Sequence, residues 1–173
     1  MKKAGELMIP LEKYPHVPYW FSLRQAVAVL ENTTLHHAPG GPSLARFVLV
    51  FDQAYKLLGI TRRRDILRGL KPLFPTGQPP QDQKIRVEGQ PDLGATQVSY
   101  DMMIKELCEH AERPVSEVML PIQATIDYEE DFFRVISKMV ENNVSMLPVL
   151  KDNMVVGVVR SVEVFHEVAK LIL

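Results

Sequence analysis

The sequence has one cysteine, Cys108, so no disulfide can close within the chain and nothing asks for an oxidising compartment. It has no long apolar run. Its purely apolar stretches are short, as at Phe47–Phe51, whereas a membrane span needs about 18–20 residues. The opening residues carry Lys2 and Lys3, but Glu6, Pro10, Glu12 and Lys13 interrupt any apolar segment behind them, which excludes a signal peptide. A cytoplasmic protein without a membrane partner is the expectation. There is also little excess charge: Lys and Arg number 20, Asp and Glu 21, for a net charge of −1. That balance gives no general pull toward nucleic acid, and no recognition motif is present, so no nucleic-acid partner is expected.

The usual signatures of catalysis are missing too. Neither G-x-S-x-G nor G-x-x-x-x-G-K-[ST] occurs. Cys108 lies near Glu106 and Glu109, and negative neighbours disfavour the thiolate that a nucleophile needs. His36 and His37 lack further ligands at metal-binding spacing, as do His16, His110 and His166, so no metal site is expected. The chain reads as a non-enzyme.

What is present is a core and a repeat. Hydrophobic residues make up 46% of 173, enough for one compact domain or two small ones packed together. Glu6-Leu7-Met8-Ile9-Pro10 returns as Glu117-Val118-Met119-Leu120-Pro121. Val29-Leu30-Glu31-Asn32 returns as Met139-Val140-Glu141-Asn142, and Leu57-Leu58-Gly59-Ile60 as Val155-Val156-Gly157-Val158. The blocks keep their order, which marks a diverged duplication. The first copy carries an insertion at 33–45, rich in Pro and Gly, and read as a surface loop. A linker at 72–98, also Pro- and Gly-rich, separates the copies, with Lys84-Ile85-Arg86-Val87 its only strand-like piece. The expected division is therefore 1–71, 72–98 and 99–173. A helix over about Ser99–Glu112 should open the last part, with Met103, Leu107, Cys108 and Ala111 on one face.

Each copy predicts the order β-α-β-β-α. In the second, Ala124–Ile126 is a short strand and Asp131 caps a helix to Asn142, with Phe132, Val135, Ile136, Met139 and Val140 as an apolar stripe. Strands follow at Met146–Leu150 and Met154–Val159. Ser161 should cap a last helix over Val162–Leu171, whose apolar face is Val164, Phe165, Val168 and Ala169. In the first copy the elements fall near His16-Val17, then Leu23–Asn32 capped by Ser22, Phe47–Phe51, Tyr55–Ile60 and Arg64–Leu70. A small sheet with helices on one face leaves its other face bare, so two copies should pack together. The fold class is α/β, two such units forming a pseudo-twofold pair. Met8, Met119, Met146 and Met154 read as core filler, and Trp20 as a cover over the core at a helix entry, with base stacking as the alternative.

This order, with Val118-Met119-Leu120-Pro121, Met146-Leu147-Pro148-Val149-Leu150 and Gly157-Val158-Val159, resembles the cystathionine-β-synthase (CBS) domain family. In the first copy the matching pieces are Leu7-Met8-Ile9-Pro10, Ser22-Leu23-Arg24-Gln25-Ala26-Val27 and Gly59-Ile60-Thr61-Arg62-Arg63-Arg64-Asp65. The resemblance implies a regulatory, ligand-sensing pair that binds AMP, ADP, ATP or S-adenosylmethionine between its repeats. It also implies a homodimer, and a partner enzyme or transporter regulated in trans. The alternative is an interaction module with an unliganded cleft.

The family's site motif is Gly, two apolar residues, Ser or Thr, two further residues and Asp. It falls on Gly59, Ile60, Thr61, Arg62 and Asp65 in the first copy, and on Gly157, Val158, Arg160 and Glu163 in the second. Both copies place arginine where the family has a phosphate-binding hydroxyl, and the second has Glu163 for the ribose-binding Asp. Either the arginines donate to a phosphate as bidentate groups, or their stems fill the cleft and pair with Asp65 and Glu163. The neighbouring Arg63, Arg64, Arg68 and Lys71 read as a solvated helix start.

Overall fold

In a computed structural model of the chain, residues 1–36, 41–71 and 93–173 are described, with side chains from Tyr100 onward in the last segment. The elements are α1 (Ala4–Leu7), β1 (Ile9–Pro10), β2 (His16–Pro18), α2 (Leu23–Asn32), β3 (Thr34–Leu35), β4 (Ser43–Leu44), β5 (Phe47–Phe51), β6 (Leu57–Arg62) and α3 (Arg63–Leu70). After 72–92 come α4 (Leu93–His110), β7 (Ile126–Asp127), α5 (Phe132–Glu141), β8 (Met146–Lys151), β9 (Met154–Arg160) and α6 (Ser161–Ile172). The strand expected at Lys84–Val87 lies outside the described residues.

Each copy builds the same small sheet. Strand β2 runs parallel to β5, which pairs antiparallel with β6; likewise β7 runs parallel to β8, which pairs antiparallel with β9. The β8–β9 turn is tight: Lys151 faces Met154, and Asp152 and Asn153 both take positive φ, at 51° and 62°. Short polar side chains tolerate that conformation, and it matches the twist of the flanking strands.

The copies exchange their leading segments. Strand β1, from the first copy, adds to the second sheet, with Ile9 opposite Val158 and Pro10 opposite Gly157. Reciprocally, Leu120 bridges Ile60 of the first sheet through N–H···O bonds of 2.9 and 2.7 Å. Cores follow the exchange. Ala4 and Leu7 pack with Ile126, Phe132, Val135 and Leu147. Val115 and Val118 pack with Leu23, Val48 and Ile66. Each sheet's core therefore draws on the other copy's leading segment.

Helix starts follow local chemistry. Ser22 accepts from the Gln25 N–H at 3.2 Å while the Gln25 side chain accepts from the Ser22 N–H at 2.8 Å, a reciprocal cap. Asp131 accepts from the Arg134 N–H at 3.0 Å. The last helix departs from expectation. Ser161 is its first helical residue, and Arg160 is the N-cap, because the Glu163 carboxylate reaches back to the Arg160 N–H at 3.1 Å.

Other expectations are corrected. The 33–45 segment is not merely a surface loop: β3 and β4 form a two-stranded ladder, and Leu35 and Ala45 are buried. Strand β6 begins at Leu57, since Tyr55 turns the chain with φ 59°. Helix α4 starts before Ser99 and ends at His110, with Cys108 exposed and Ala111, just beyond it, buried. Val140 and Phe165 are 74% and 75% exposed, because the inward stripes of α5 and α6 are narrower than their apolar sequence. Met154 is half-exposed at the hairpin turn. Trp20 does not cover the core: it is half-exposed, edge-on to Tyr19 at 5.1 Å.

Candidate functional site

A cleft of about 430 Å³ lies between the two copies. One wall is the end of the first sheet, with Phe47, Ile60 and Arg62. The other comes from the second copy: the chain from Leu120 to Ala124, the short connection Asn142–Ser145, and Met146 and Pro148 of β8. Its polar groups are Arg62, Gln123, Asn142, Asn143 and Ser145, and its charged one is Arg62.

Arg62 ends β6 and begins α3. Its guanidinium grips Asp65 with two bonds, Nε to Oδ2 at 2.8 Å and Nη2 to Oδ1 at 3.0 Å, and its N–H donates to the same carboxylate at 3.0 Å. Arg68 adds a second cation at 3.1 Å. The Asp65 side chain is 0% exposed, whereas that of Arg62 is 44% exposed. Burial pushes the Asp65 carboxyl up. The side-chain and backbone bonds from Arg62, with the charges of Arg62 and Arg68, outweigh it and hold the group below the usual carboxylate range. Asp65 also serves as the N3 carboxylate that caps α3, a local reason for an acid at that position.

The second copy repeats the arrangement in a closed form. Arg160 grips Glu163 through Nε and Nη2, and its Nη1 reaches the Ser43 hydroxyl at 3.2 Å. Both partners are buried, at 10% and 6% side-chain exposure. The Tyr14 phenol is buried close enough for the charges of Arg160 and Glu163 to act on it, and burial pushes its pKa well up.

The motif glycines have a steric role visible in both copies. A Cβ on Gly59 would sit 2.5 Å from the Leu120 carbonyl oxygen, and one on Gly157 2.5 Å from that of Ile9. The atoms that come close are the backbone of the exchanged segments, with the sulfurs of Met119 and Met8 beside them at 3.2 and 2.7 Å.

Of the residues singled out from sequence, Ile60 and Arg62 line the open cleft. Asp65 lies behind Arg62, and Thr61 is buried with its hydroxyl unpartnered. Gly157, Val158, Arg160 and Glu163 are buried in the second copy, away from the open cleft. Sequence reasoning missed Gln123, Asn142, Asn143 and Ser145, and on the closed side Tyr14 and Ser43. The signal available was the repeat itself, since Asn142–Ser145 occupies the place of the insertion.

Residues 115–170 match the family model of the CBS domain. The chain has the fold of a CBS-domain pair. The CBS-pair protein CBSX2 of Arabidopsis thaliana superposes with a TM-score of 0.62 at 15% identity, over 98% of this chain and 95% of that one. CBSX2 in complex with AMP gives 0.62 at 14%, over 99% and 98%. A CBS domain-containing protein of Bacillus anthracis str. Ames Ancestor gives 0.65 at 19%, over 98% and 94%. The cytosolic domain of the Mg2+ channel MgtE, in complex with ATP, gives 0.60 at 17%, over 95% of this chain and 48% of that one. At such identities the likeness is one of fold. No curated protein matches the chain. No helix among the described residues is long and apolar enough to cross a membrane.

Proposed function

We propose that this CBS pair is a regulatory module that binds an adenine nucleotide, AMP, ADP, ATP or S-adenosylmethionine, in the cleft beside Arg62, and that it is not an enzyme. The observation carrying the proposal is the open cleft of about 430 Å³ with a half-exposed guanidinium at its edge. Ligand pockets span about 300–1,000 Å³ and combine apolar walls with a few placed polar groups. Ile60, Leu120, Ile122 and Met146 supply the walls for a base. Arg62 supplies a phosphate donor, and Asn142, Asn143 and Ser145 supply groups for a ribose. The solved pairs with AMP and ATP bound support the ligand class.

The proposal takes the chain as a cytoplasmic homodimer that acts in trans on an enzyme or transporter. The exposed Phe133, Val140 and Phe165 on α5 and α6 support a paired surface. One observation favours a second reading, an interaction module with an unliganded cleft. The Asp65 carboxylate is buried and already held by Arg62 and Arg68, so it offers no free oxygen to a ribose.

A thermal-shift panel with AMP, ADP, ATP, S-adenosylmethionine and NAD separates the two. A ligand at about 100 times its Kd adds roughly 2.7 kcal/mol, which at about 2–4 °C per kcal/mol lifts the midpoint by some 5–10 °C. The expected result is such a rise with one adenosine ligand, abolished in Arg62→Ala. No rise with any ligand, in protein that stays folded, sinks nucleotide sensing and leaves the interaction module.

A further inference from the structure

We infer that the β3–β4 ladder, between α2 and β5, is an internal plug: it covers, in cis, the cleft related to the open one by the duplication, so the chain takes one ligand rather than two. The stoichiometry rests on the ligand-binding reading above; the plugged geometry does not.

The two copies serve as each other's control. Arg62 and Arg160 each end the last strand of their sheet, cap the following helix and grip a carboxylate three residues on. Each lies where the other copy's leading segment crosses, Leu120 onto Ile60 and Ile9 onto Val158. The two environments nevertheless differ in one connection. In the second copy, residues 142–145 join α5 to β8, and this short piece forms a rim of the open cleft. In the first, residues 33–46 join α2 to β5. Within this connection, Leu35 of β3 and Ala45 just after β4 turn inward, while Thr34, His36, Gly41, Pro42 and Leu44 stay exposed. Leu35 and Ala45 are 2% and 0% exposed and belong to the first copy's core, which also takes in Ile9, Tyr14, Met146 and Val158. Ser43 reaches Arg160 directly. The Arg160 side chain is left at 10% exposure against 44% for Arg62. Two buried apolar anchors together with a bond to the arginine hold the ladder over Arg160.

Arginine labelling with phenylglyoxal, read by mass spectrometry, tests the plug without any nucleotide. In the folded wild-type protein Arg62 is expected to react and Arg160 to be spared. Two variants release Arg160: replacement of residues 33–46 by the four residues Asn142–Ser145 of the other copy, and Leu35→Asp, which keeps the length and removes the anchor. Arg160 reacting in wild type as readily as Arg62, or staying protected in a folded variant, overturns the plug. Should neither variant fold, the wild-type pattern decides alone. Calorimetric titration of wild type with AMP reads the stoichiometry. One molecule per chain supports the inference and two overturn it. No AMP binding, with Arg160 spared in wild type only, removes the nucleotide reading and leaves the plug intact.

Discussion

Gly59 and Gly157 show how a motif residue can answer to backbone crowding. In CBS pairs a glycine here invites a ligand-based explanation, yet in this chain both glycines face a carbonyl oxygen of the crossing segment, 2.5 Å from the missing Cβ. A methyl group at either position must push the exchanged strand outward. Overpacking of this kind costs about 1–3 kcal/mol. Gly59→Ala and Gly157→Ala are each expected to lose about that much in urea unfolding, by similar amounts because the contacts are equivalent. A loss confined to one of them would separate the two crossings. The arginines carry a parallel lesson. Asp65 and Glu163 each accept from the backbone N–H that starts the helix and from the arginine side chain before it. The acid at that position is explained by helix capping whether or not a ligand ever arrives.

Among the elements, α2 and α5 were the most legible. Ser22 with Gln25, and Asp131 ahead of an apolar stripe, are caps whose bonds run between residues three apart, so tertiary context scarcely alters them. Strands β5, β8 and β9 were legible as apolar runs bounded by turns. The β3–β4 ladder was not. Its strands are two residues each, and their proline- and glycine-rich surroundings argue for a loop. What makes them an element is the pairing of Thr34 with Leu44 and Leu35 with Ser43, and the burial of Leu35 in the core of the first copy. Leu35→Ala is therefore expected to cost about 2–5 kcal/mol, as for a buried leucine, rather than the few tenths of a surface loop position. Denaturant unfolding of that variant checks it, and a negligible loss would detach the ladder from the core.

Taken whole, the molecule is two sheets that complete each other. The N-terminus is tied down twice, by β1 in the second sheet and by an ion pair at its start. Glu167 on α6 bonds Lys170 and Lys2, each at 2.8 Å, and these bonds hold its carboxyl down at about 2. An unfolded glutamate titrates near about 4.3. Because the folded value is the lower, the stabilisation is fully present above the unfolded pKa and is lost as pH falls toward the folded one. Urea midpoints from about pH 5 to about pH 2 should fall less steeply in Glu167→Gln than in wild type. Equal slopes would mean that the pair contributes nothing to holding the N-terminus.

By itself the sequence determined the duplication, the order of elements within each copy, the caps, and the arginine in place of a hydroxyl at both motifs. All of these are written in local spacing and local hydrogen bonds. Only the tertiary structure decided that each leading segment joins the other copy's sheet, that one cleft is open, and that Arg160 is buried where Arg62 is half-exposed. Those outcomes depend on which apolar side chain finds room across the interface. Tyr14 is buried close to Arg160 and Glu163, and no periodicity records a partner at that distance.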